Sequence, residues 1–223
     1  GIAYISEFTK KIAEQHLKLP DVPQKVIYNG VSVSDVKPIK PVFVDHDEAF
    51  IFSIGIIGEK KNFHVLVEAM KELTSLKLFL CGNASSKYAD KIRALITKHK
   101  LEKRVVITGE VSEAEKNWMF ENSKAFVFPS LSEGFGLPVV EAMYFGKPVV
   151  LSKLTSLPEI GGKEAVYLDN FLPEEIASKI EFAIKNHTID KRKALNNRAS
   201  LFSWQKAAEQ YLEIYNTILI KTS

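Results

Sequence analysis

From residue 50 onward, short apolar runs alternate with longer segments whose apolar residues recur at helical spacing. Strands that alternate with helices form a parallel sheet covered on both faces, because each parallel crossover needs a helix. We therefore predict an α/β fold with a doubly wound, six-stranded, Rossmann-like parallel sheet in the strand order 3-2-1-4-5-6. The predicted strands cover residues 50–55, 76–81, 105–108, 125–128, 148–151 and 165–168.

This strand order places the first and fourth strands side by side at the switch point of the sheet. Ligands bind there, outside the carboxyl ends of the strands. The loop after the first strand carries Lys61, and the loop after the fourth strand carries Glu133, Phe135 and Gly136. The topology alone thus predicts that Lys61 lies beside the backbone amides of Phe135 and Gly136.

The segment 129–143, after the fourth strand, has the pattern of a tight loop that leads into a helix. Gly134 and Gly136 allow a tight turn and close approach of a ligand to the backbone. Pro138 suits the first turn of a helix, where its missing N–H costs nothing. The residues that follow are almost all apolar, which predicts a helix buried on all sides and ended by Gly146.

This helix contains one charge, Glu141, and a buried carboxylate requires a hydrogen-bond partner. Glu133 lies eight residues earlier, and the N–H groups of Phe135, Gly136 and Leu137 lie between the two carboxylates at a helix start that attracts anions. Amide donors for phosphate beside carboxylate acceptors for hydroxyls match a nucleotide sugar. The alternative is a structural carboxylate that caps a neighbouring helix.

The segment from Glu133 to Glu141 resembles the E-x7-E motif of retaining glycosyltransferases of family 4, the group 1 transferases. The resemblance extends from Ser6 to Trp204. It implies the C-terminal, donor-binding half of a GT-B fold, with residues 1–34 as the tail of a missing N-terminal domain and hinge, and residues 35–223 as the donor-binding domain. The opening residues of the chain likewise suggest an excised piece of something longer.

The resemblance also implies roles for single residues. Glu133 is the catalytic carboxylate that contacts the donor sugar and supports its developing positive charge, and Glu141 binds the ribose hydroxyls. Lys61 binds the diphosphate, and the three amides between the carboxylates hold sugar hydroxyls and the distal phosphate. We place the base near residues 104–111, with Val111 as the candidate contact. The implied substrate is a UDP- or GDP-sugar, with no metal or other cofactor.

One position departs from the family pattern, because Ile56 stands where the family has an arginine that helps to hold the diphosphate. This change favours a second interpretation, a non-catalytic module that binds a sugar nucleotide. A third interpretation is an NAD-binding domain, although Gly134 and Gly136 lack the third glycine of that fingerprint and follow the fourth strand. Even as an enzyme, the fragment is expected to turn over little without the domain for its glycan or lipid-linked acceptor.

The composition of the chain indicates which partners and which cellular location to expect. Its 223 residues carry a formal net charge of +3 without a dense cluster of lysine and arginine, which argues against nucleic acid. Cys81 is the only cysteine and lies in an apolar run, so we expect a buried thiol and no internal disulfide. No apolar run approaches the ~20 residues of a membrane span. We expect a cytoplasmic location, and family members commonly work at the inner face of the membrane.

Two further patterns have competing interpretations. Asp45, His46 and Asp47 resemble the D-x-D metal motif of the other large glycosyltransferase fold, but a solvated linker is favoured beside proline. The last predicted helix presents an aromatic and apolar stripe, which is either core or a surface that the missing domain would cover. The stripe consists of Trp204, Ala208, Tyr211, Leu212 and Tyr215.

Overall fold

The computed structural model describes residues 1–32, 35–45 and 48–222, except for the side chains of the last three. His46 and Asp47, and with them the D-x-D interpretation, lie outside the described residues. So does residue 34, at the predicted domain boundary. The division into residues 1–34 and 35–223 stays a prediction.

Six strands form one sheet in which every pair of neighbours is parallel, in the order β5-β4-β3-β6-β7-β8. This is the predicted order 3-2-1-4-5-6, and the predicted α/β class is confirmed. Two further strands, β1 and β2, form a separate parallel pair. The strands are β1 (Ile2–Tyr4), β2 (Gln24–Val26), β3 (Phe50–Ile54), β4 (Lys77–Cys81), β5 (Val105–Gly109), β6 (Ala125–Phe128), β7 (Val149–Ser152) and β8 (Val166–Leu168).

Helices connect the strands and cover both faces of the sheet. They are α1 (Glu7–His16), α2 (Phe63–Ala69), α3 (Lys87–Lys98), α4 (Glu113–Asn122), α5 (Leu137–Tyr144), α6 (Leu157–Gly161), α7 (Pro173–Lys185), α8 (Ile189–Ala199) and α9 (Trp204–Thr222). The sequence pattern did not predict α6 or α8. Helix α8 was not predicted because it has no apolar stripe, and only its Leu195 and Ala199 are buried.

The sheet separates two halves of the core, because successive side chains of a strand point to opposite faces. Ile51 of β3 packs with residues of α2, α3 and α7. Phe50 and Phe52 pack on the other face, with residues of α4, α5, α6 and α8. On that face the ring of Phe52 lies 4.9 Å from Phe120 and 5.2 Å from Phe126 between centroids. This packed layer fixes the strand ends from which the site loops leave.

Helix starts were predicted with mixed success. The sequence from Ser112 to Glu115 predicts a capping box at the start of a helix. This prediction is confirmed, since Glu115 accepts from the Ser112 N–H and donates its own N–H to the Ser112 hydroxyl. The sequence also predicts that the Asn62 side chain caps α2, because asparagine is a common helix cap. This prediction is wrong. A short 3-10 turn, Glu59–Lys61, precedes α2. Asn62, between the turn and the helix, has a left-handed backbone conformation with a φ of 58°. The Asn62 side chain makes no capping hydrogen bond, and its amide nitrogen is buried without a partner among the described residues.

The first 32 residues contact the rest of the structure at several places, including α9 and the loop before α5. Ile27 packs against Ala207 and Ile214 of α9. The Ser6 hydroxyl donates to the Gly134 carbonyl at 2.8 Å, which joins the start of α1 to the loop before α5. The described part of this segment is therefore continuous with the larger unit in packing.

The stripe predicted on the last helix is largely exposed. Trp204, Leu212 and Tyr215 are each at least half exposed, whereas Ala207 and Ile214 form the face of α9 that packs inward. The expectation of core packing for this stripe is therefore wrong, because the inward face lies on other residues of the same helix. The expectation of an exposed stripe is confirmed.

Candidate functional site

The site lies where the loops after β3 and β6 meet at the carboxyl edge of the sheet. The two strands are direct neighbours, with Phe52 opposite Phe126. The Lys60 carbonyl accepts hydrogen bonds from the Leu131 N–H at 2.7 Å and from the Ser130 hydroxyl at 2.9 Å. These bonds tie the first crossover to the loop after β6. The predicted meeting of these two loops is therefore present in the structure.

Lys61 reaches across the end of β3 and contacts Glu133, with 2.6 Å between Nζ and Oε1. Both side chains are mostly buried, and the ammonium also lies 4.5 Å from the centroid of the Phe128 ring. A Cβ at Gly55 would lie only 2.9 Å from Cε of Lys61. Because Gly55, directly after β3, has no side chain, it leaves the space that the Lys61 side chain occupies.

Hydrogen bonds fix the carboxylate of Glu133 and its backbone. The Ser130 hydroxyl also lies 2.6 Å from the same Oε1, so its one proton is shared between this oxygen and the Lys60 carbonyl. The Glu133 N–H donates to the Thr155 hydroxyl at 3.0 Å, and the Ser156 hydroxyl donates to the Glu133 carbonyl at 3.0 Å. Sequence reasoning missed these three hydroxyls. Their position in loops after β6 and β7, at the same edge of the sheet, was the one signal available.

The N–H groups of Phe135, Gly136 and Leu137 lie at the start of α5. None of them makes a hydrogen bond to another described residue. Gly136 has a φ of 103°, in the left-handed region that glycine tolerates best. Unpaired N–H groups at a helix start attract anions, so these three donors remain available to a bound phosphate or hydroxyl.

The helix itself is less buried than predicted. Val139, Val140, Ala142 and Met143 are buried. Leu137, however, is 39% exposed and Tyr144 is 51% exposed. The prediction of a helix buried on all sides is therefore wrong. An apolar composition did not distinguish the side that faces the sheet from the side that borders the open edge.

Glu141 forms an ion pair with Lys116 of α4, with 2.7 Å between Oε1 and Nζ. Lys116 also lies 3.0 Å from Glu113. Burial raises the pKa of Glu141 above its usual value, and the ion pair with Lys116 opposes this shift. Burial alone would lower the pKa of Lys116, but its two carboxylate partners outweigh burial and raise it. The predicted need of Glu141 for a partner is thus met within the protein.

Sequence reasoning also missed Lys116. It lies one turn after Ser112, in the helix that follows the predicted base segment. Nothing in the sequence distinguishes it from a solvated lysine. Val111, the candidate base contact, is partly buried and packs against the core half that contains α5.

Ile56 follows Gly55 at the mouth of the site, and 70% of its surface is exposed. The position where the resemblance implies an arginine is therefore open to solvent and carries no charge. Within residues 1–32, 35–45 and 48–222, no group of three or more His, Cys, Asp or Glu side chains could hold a metal ion. Cys81 is buried, as predicted, and burial raises its pKa to about 12.

The sequence model of the family described as "Glycosyl transferases group 1" matches residues 37–202. This match spans well over half of the chain and includes both Lys61 and the segment from Glu133 to Glu141. The chain belongs to the glycosyl transferases group 1 family. The resemblance drawn from the E-x7-E segment is confirmed at this level.

Curated relatives of this group 1 chain include mannosyltransferases. The serotype-specific mannosyltransferase WbdA of Escherichia coli is 29% identical to this chain. The alignment is 225 residues long and covers 96% of this chain and 27% of WbdA. The O-antigen chain mannosyltransferase RfbU of Salmonella typhimurium is 29% identical and is matched over 72% of this chain and 43% of RfbU. The chain thus spans about a quarter to under half of the length of these relatives.

Solved structures with the same fold are GT-B glycosyltransferases. A glycosyltransferase from Rickettsia africae superposes with a TM-score of 0.85 at 21% identity, over 97% of this chain and 63% of that one. HepE from Anabaena, solved with UDP and glucose, gives a TM-score of 0.81 at 21% identity, over 96% of this chain and 62% of HepE. At this identity the likeness establishes the fold, one half of a GT-B architecture.

Proposed function

We propose that this chain is the donor-binding half of a retaining glycosyltransferase. It binds a nucleotide-diphosphate sugar and, together with an N-terminal domain, transfers the sugar with retention to a glycan or lipid-linked acceptor at the cytoplasmic face of the membrane. Membership of the group 1 family supports transferase chemistry. The mannosyltransferase relatives and the UDP and glucose bound by HepE support a nucleotide sugar as donor.

The observation that carries this proposal is that the N–H groups at residues 135–137 have no partner among the described residues. They follow Glu133 in a loop that is bonded to the crossover of Lys61. A diphosphate at these amides would draw the Lys61 ammonium away from Glu133, because a diphosphate carries more negative charge than one carboxylate. The positive charges needed at the leaving diphosphate are then supplied by oriented protein groups. No metal ion is required in this scheme.

Glu133 gains a role when Lys61 changes partner. Its carboxylate is held by Ser130 and by the backbone bonds to Thr155 and Ser156. A fixed carboxylate without its cation stabilises positive charge that develops on the donor sugar. We therefore assign Glu133 to the reacting carbon of the sugar.

Glu141 is assigned to the ribose. An ionised carboxylate accepts hydrogen bonds from two neighbouring hydroxyls. The ion pair with Lys116 favours the charged form of Glu141, whereas burial favours the neutral form. Val111 is assigned to the base. We assign no preference between uracil and guanine.

Calorimetry of the 223-residue chain with UDP-glucose, GDP-mannose and NADH tests donor binding. We expect one of the two nucleotide sugars to bind in the presence of EDTA, and NADH not to bind. Glu141→Gln should weaken the binding, whereas Glu72→Gln, an exposed glutamate of the α2–β4 connection, should leave it unchanged. Failure of both sugar nucleotides and of free UDP and GDP would refute the proposal, and NADH binding alone would favour the dinucleotide interpretation.

A second candidate function is a binding module without transferase activity. The observation that favours it is the exposed Ile56 at the position of the family arginine. The two functions differ in turnover rather than in binding. A protein that contains this chain together with its acceptor domain should transfer sugar from the donor that calorimetry identifies. Tight binding without transfer to any glycan or lipid-linked acceptor would favour the module.

A further inference from the structure

A cavity of about 410 Å³ lies at the amino edge of the sheet, opposite the proposed donor site. It lies between the starts of β7 and β8, the end of α7 and the start of α8. Its volume falls in the range of about 300–1,000 Å³ that is typical of small-molecule sites. No residue of the donor site lines it, and the proposed glycosyl transfer gives it no role.

The inner wall of the cavity is apolar. Val149, Ala183 and Leu195 are almost completely buried, and Ala165 and Val166 complete this wall. Phe182 also lines the cavity and is 56% exposed, so it offers an aromatic face to an entering ligand. This lining is suited to an alkyl or aryl group and cannot hydrogen-bond a sugar or a base.

The remaining lining is polar and has a net positive charge. It contains two lysines, Lys163 and Lys191, against one carboxylate, Glu164. Lys191 lies 3.9 Å from Glu164, a long ion pair. Lys163 is exposed and pairs with no carboxylate in the described part of the chain. One positive charge is therefore left without a counter-ion beside an apolar wall.

We propose that this cavity binds a small amphiphile with a single negative charge. Its apolar chain lies against Val149, Ala183 and Leu195, and its anionic head lies at Lys163 and Lys191. The head can be a carboxylate, a sulfate or a phosphate diester, each with one negative charge, because the two ammonium groups supply charge without a fixed bidentate geometry. The source is a free metabolite or the end of a membrane lipid.

His187 lines the same cavity and provides a built-in reporter. Burial lowers the pKa of His187, and the positive charges of Lys147 and Arg192 lower it further. A hydrogen bond with the Gly146 backbone partly opposes this shift. An anion in the cavity favours the charged imidazole, so the pKa of His187 should rise when the amphiphile binds.

The test is NMR of the histidine ring signals of the whole chain during titration with octyl sulfate, below the concentration at which it forms micelles. His187 is assigned by comparison with His187→Asn. Octyltrimethylammonium, which carries a cationic head on the same alkyl chain, and inorganic sulfate, which has no chain, are the matched ligands. We expect only octyl sulfate to bind and to raise the pKa of His187.

Variants separate the two halves of the cavity. The double variant Lys163→Gln, Lys191→Gln should weaken octyl sulfate binding by about fivefold, since exposed lysines contribute modestly. Ala183→Leu should fill the wall and abolish binding. Lys103→Gln, an exposed lysine before β5, should change nothing. If Ala183→Leu fails to fold, the surface lysine variant still decides the question.

Three outcomes would overturn the proposal. They are no binding of octyl sulfate at millimolar concentration, equal binding of the cationic amphiphile, and an affinity that neither the lysine variant nor the filled cavity changes. Vesicles of phosphatidylcholine with phosphatidylglycerol separate the two sources. Competition of these vesicles with octyl sulfate for the His187 signal identifies a lipid as the amphiphile, and binding of octyl sulfate without competition identifies a free metabolite.

Discussion

Two lysine–glutamate pairs lie at the carboxyl edge of the sheet, and they differ in how readily each lysine can change partner. Lys61 has Glu133 as its carboxylate, whereas Lys116 is held by both Glu141 and Glu113. All but Glu113 are mostly buried. A lysine with a single carboxylate can transfer to an incoming phosphate, while a lysine shared by two carboxylates stays in place. The comparison supports the proposal that Lys61 binds the ligand and that Lys116 supports Glu141.

The largest expected effect separates the two lysines by donor affinity. Lys61→Met should weaken nucleotide-sugar binding by about 2 kcal/mol, roughly thirtyfold, because a charge-assisted bond to the diphosphate is lost. Lys116→Met should cost about threefold, since Lys116 acts only through Glu141. Calorimetry with the preferred donor measures both. Equal losses would remove the distinction between the two pairs.

A double-mutant cycle on Lys61 and Glu133 tests the first pair in the absence of ligand. Lys61→Met alone should lower the free energy of unfolding by about 1–2 kcal/mol, because it leaves a mostly buried carboxylate without its cation. Adding Glu133→Gln should recover part of that loss. Urea unfolding of the four proteins gives the coupling. Additive losses would mean that the 2.6 Å contact contributes no interaction energy.

Ile56→Arg should sharpen the comparison by adding a second cation next to Lys61. We expect donor affinity to rise by about fivefold, close to 1 kcal/mol, since the new guanidinium would be exposed and therefore screened. Leu172→Arg, at an exposed leucine before α7, is the matched control for added charge. A gain in both variants would point to general attraction, and a gain in neither would place residue 56 away from the diphosphate.

The smallest effect concerns the pH dependence of the second pair. The pKa of Glu141 is raised from 4.5, so the folded chain binds the Glu141 proton more tightly than the unfolded chain does. Stability associated with Glu141 is therefore present below about pH 4.5 and falls as the pH rises through the folded pKa. Glu141→Gln should lose this decline. Thermal unfolding of both proteins from pH 4 to pH 7 measures it, and parallel curves would contradict the raised pKa.

The sequence was sufficient to predict the sheet, because the alternation of strands and helices indicates a doubly wound fold, for which 3-2-1-4-5-6 is a common strand order. It also predicted Glu133, the amides at residues 135–137 and Glu141 as parts of one site, because they lie within one continuous segment. It could not identify Lys116, whose partner lies 25 residues away on another helix. The sequence does not distinguish a lysine that pairs with a buried carboxylate of another helix from a lysine that is exposed to solvent.

The errors at Asn62 and α8 have a similar origin. Asparagine is a common helix cap, but the 3-10 turn before α2 forces Asn62 into a left-handed conformation that the pattern did not reveal. In α8, polar residues conceal a helix whose position is fixed by tertiary bonds. The Asn196 amide donates to the carbonyl of Met143, and Arg198 donates to the carbonyl of Ile160. Such bonds follow from the assembled fold rather than from local periodicity.

The Ser6–Gly134 hydrogen bond has a mechanical consequence. At the same helix start, the Glu159 carboxylate accepts from the N–H groups of Glu7 and Phe8 at 2.7 and 3.2 Å. The start of α1 is thus anchored to the loop between Glu133 and α5 and to α6. We expect a shift of that loop on ligand binding to move the start of α1 with it, so a spectroscopic label on the first helix would report binding at the neighbouring site.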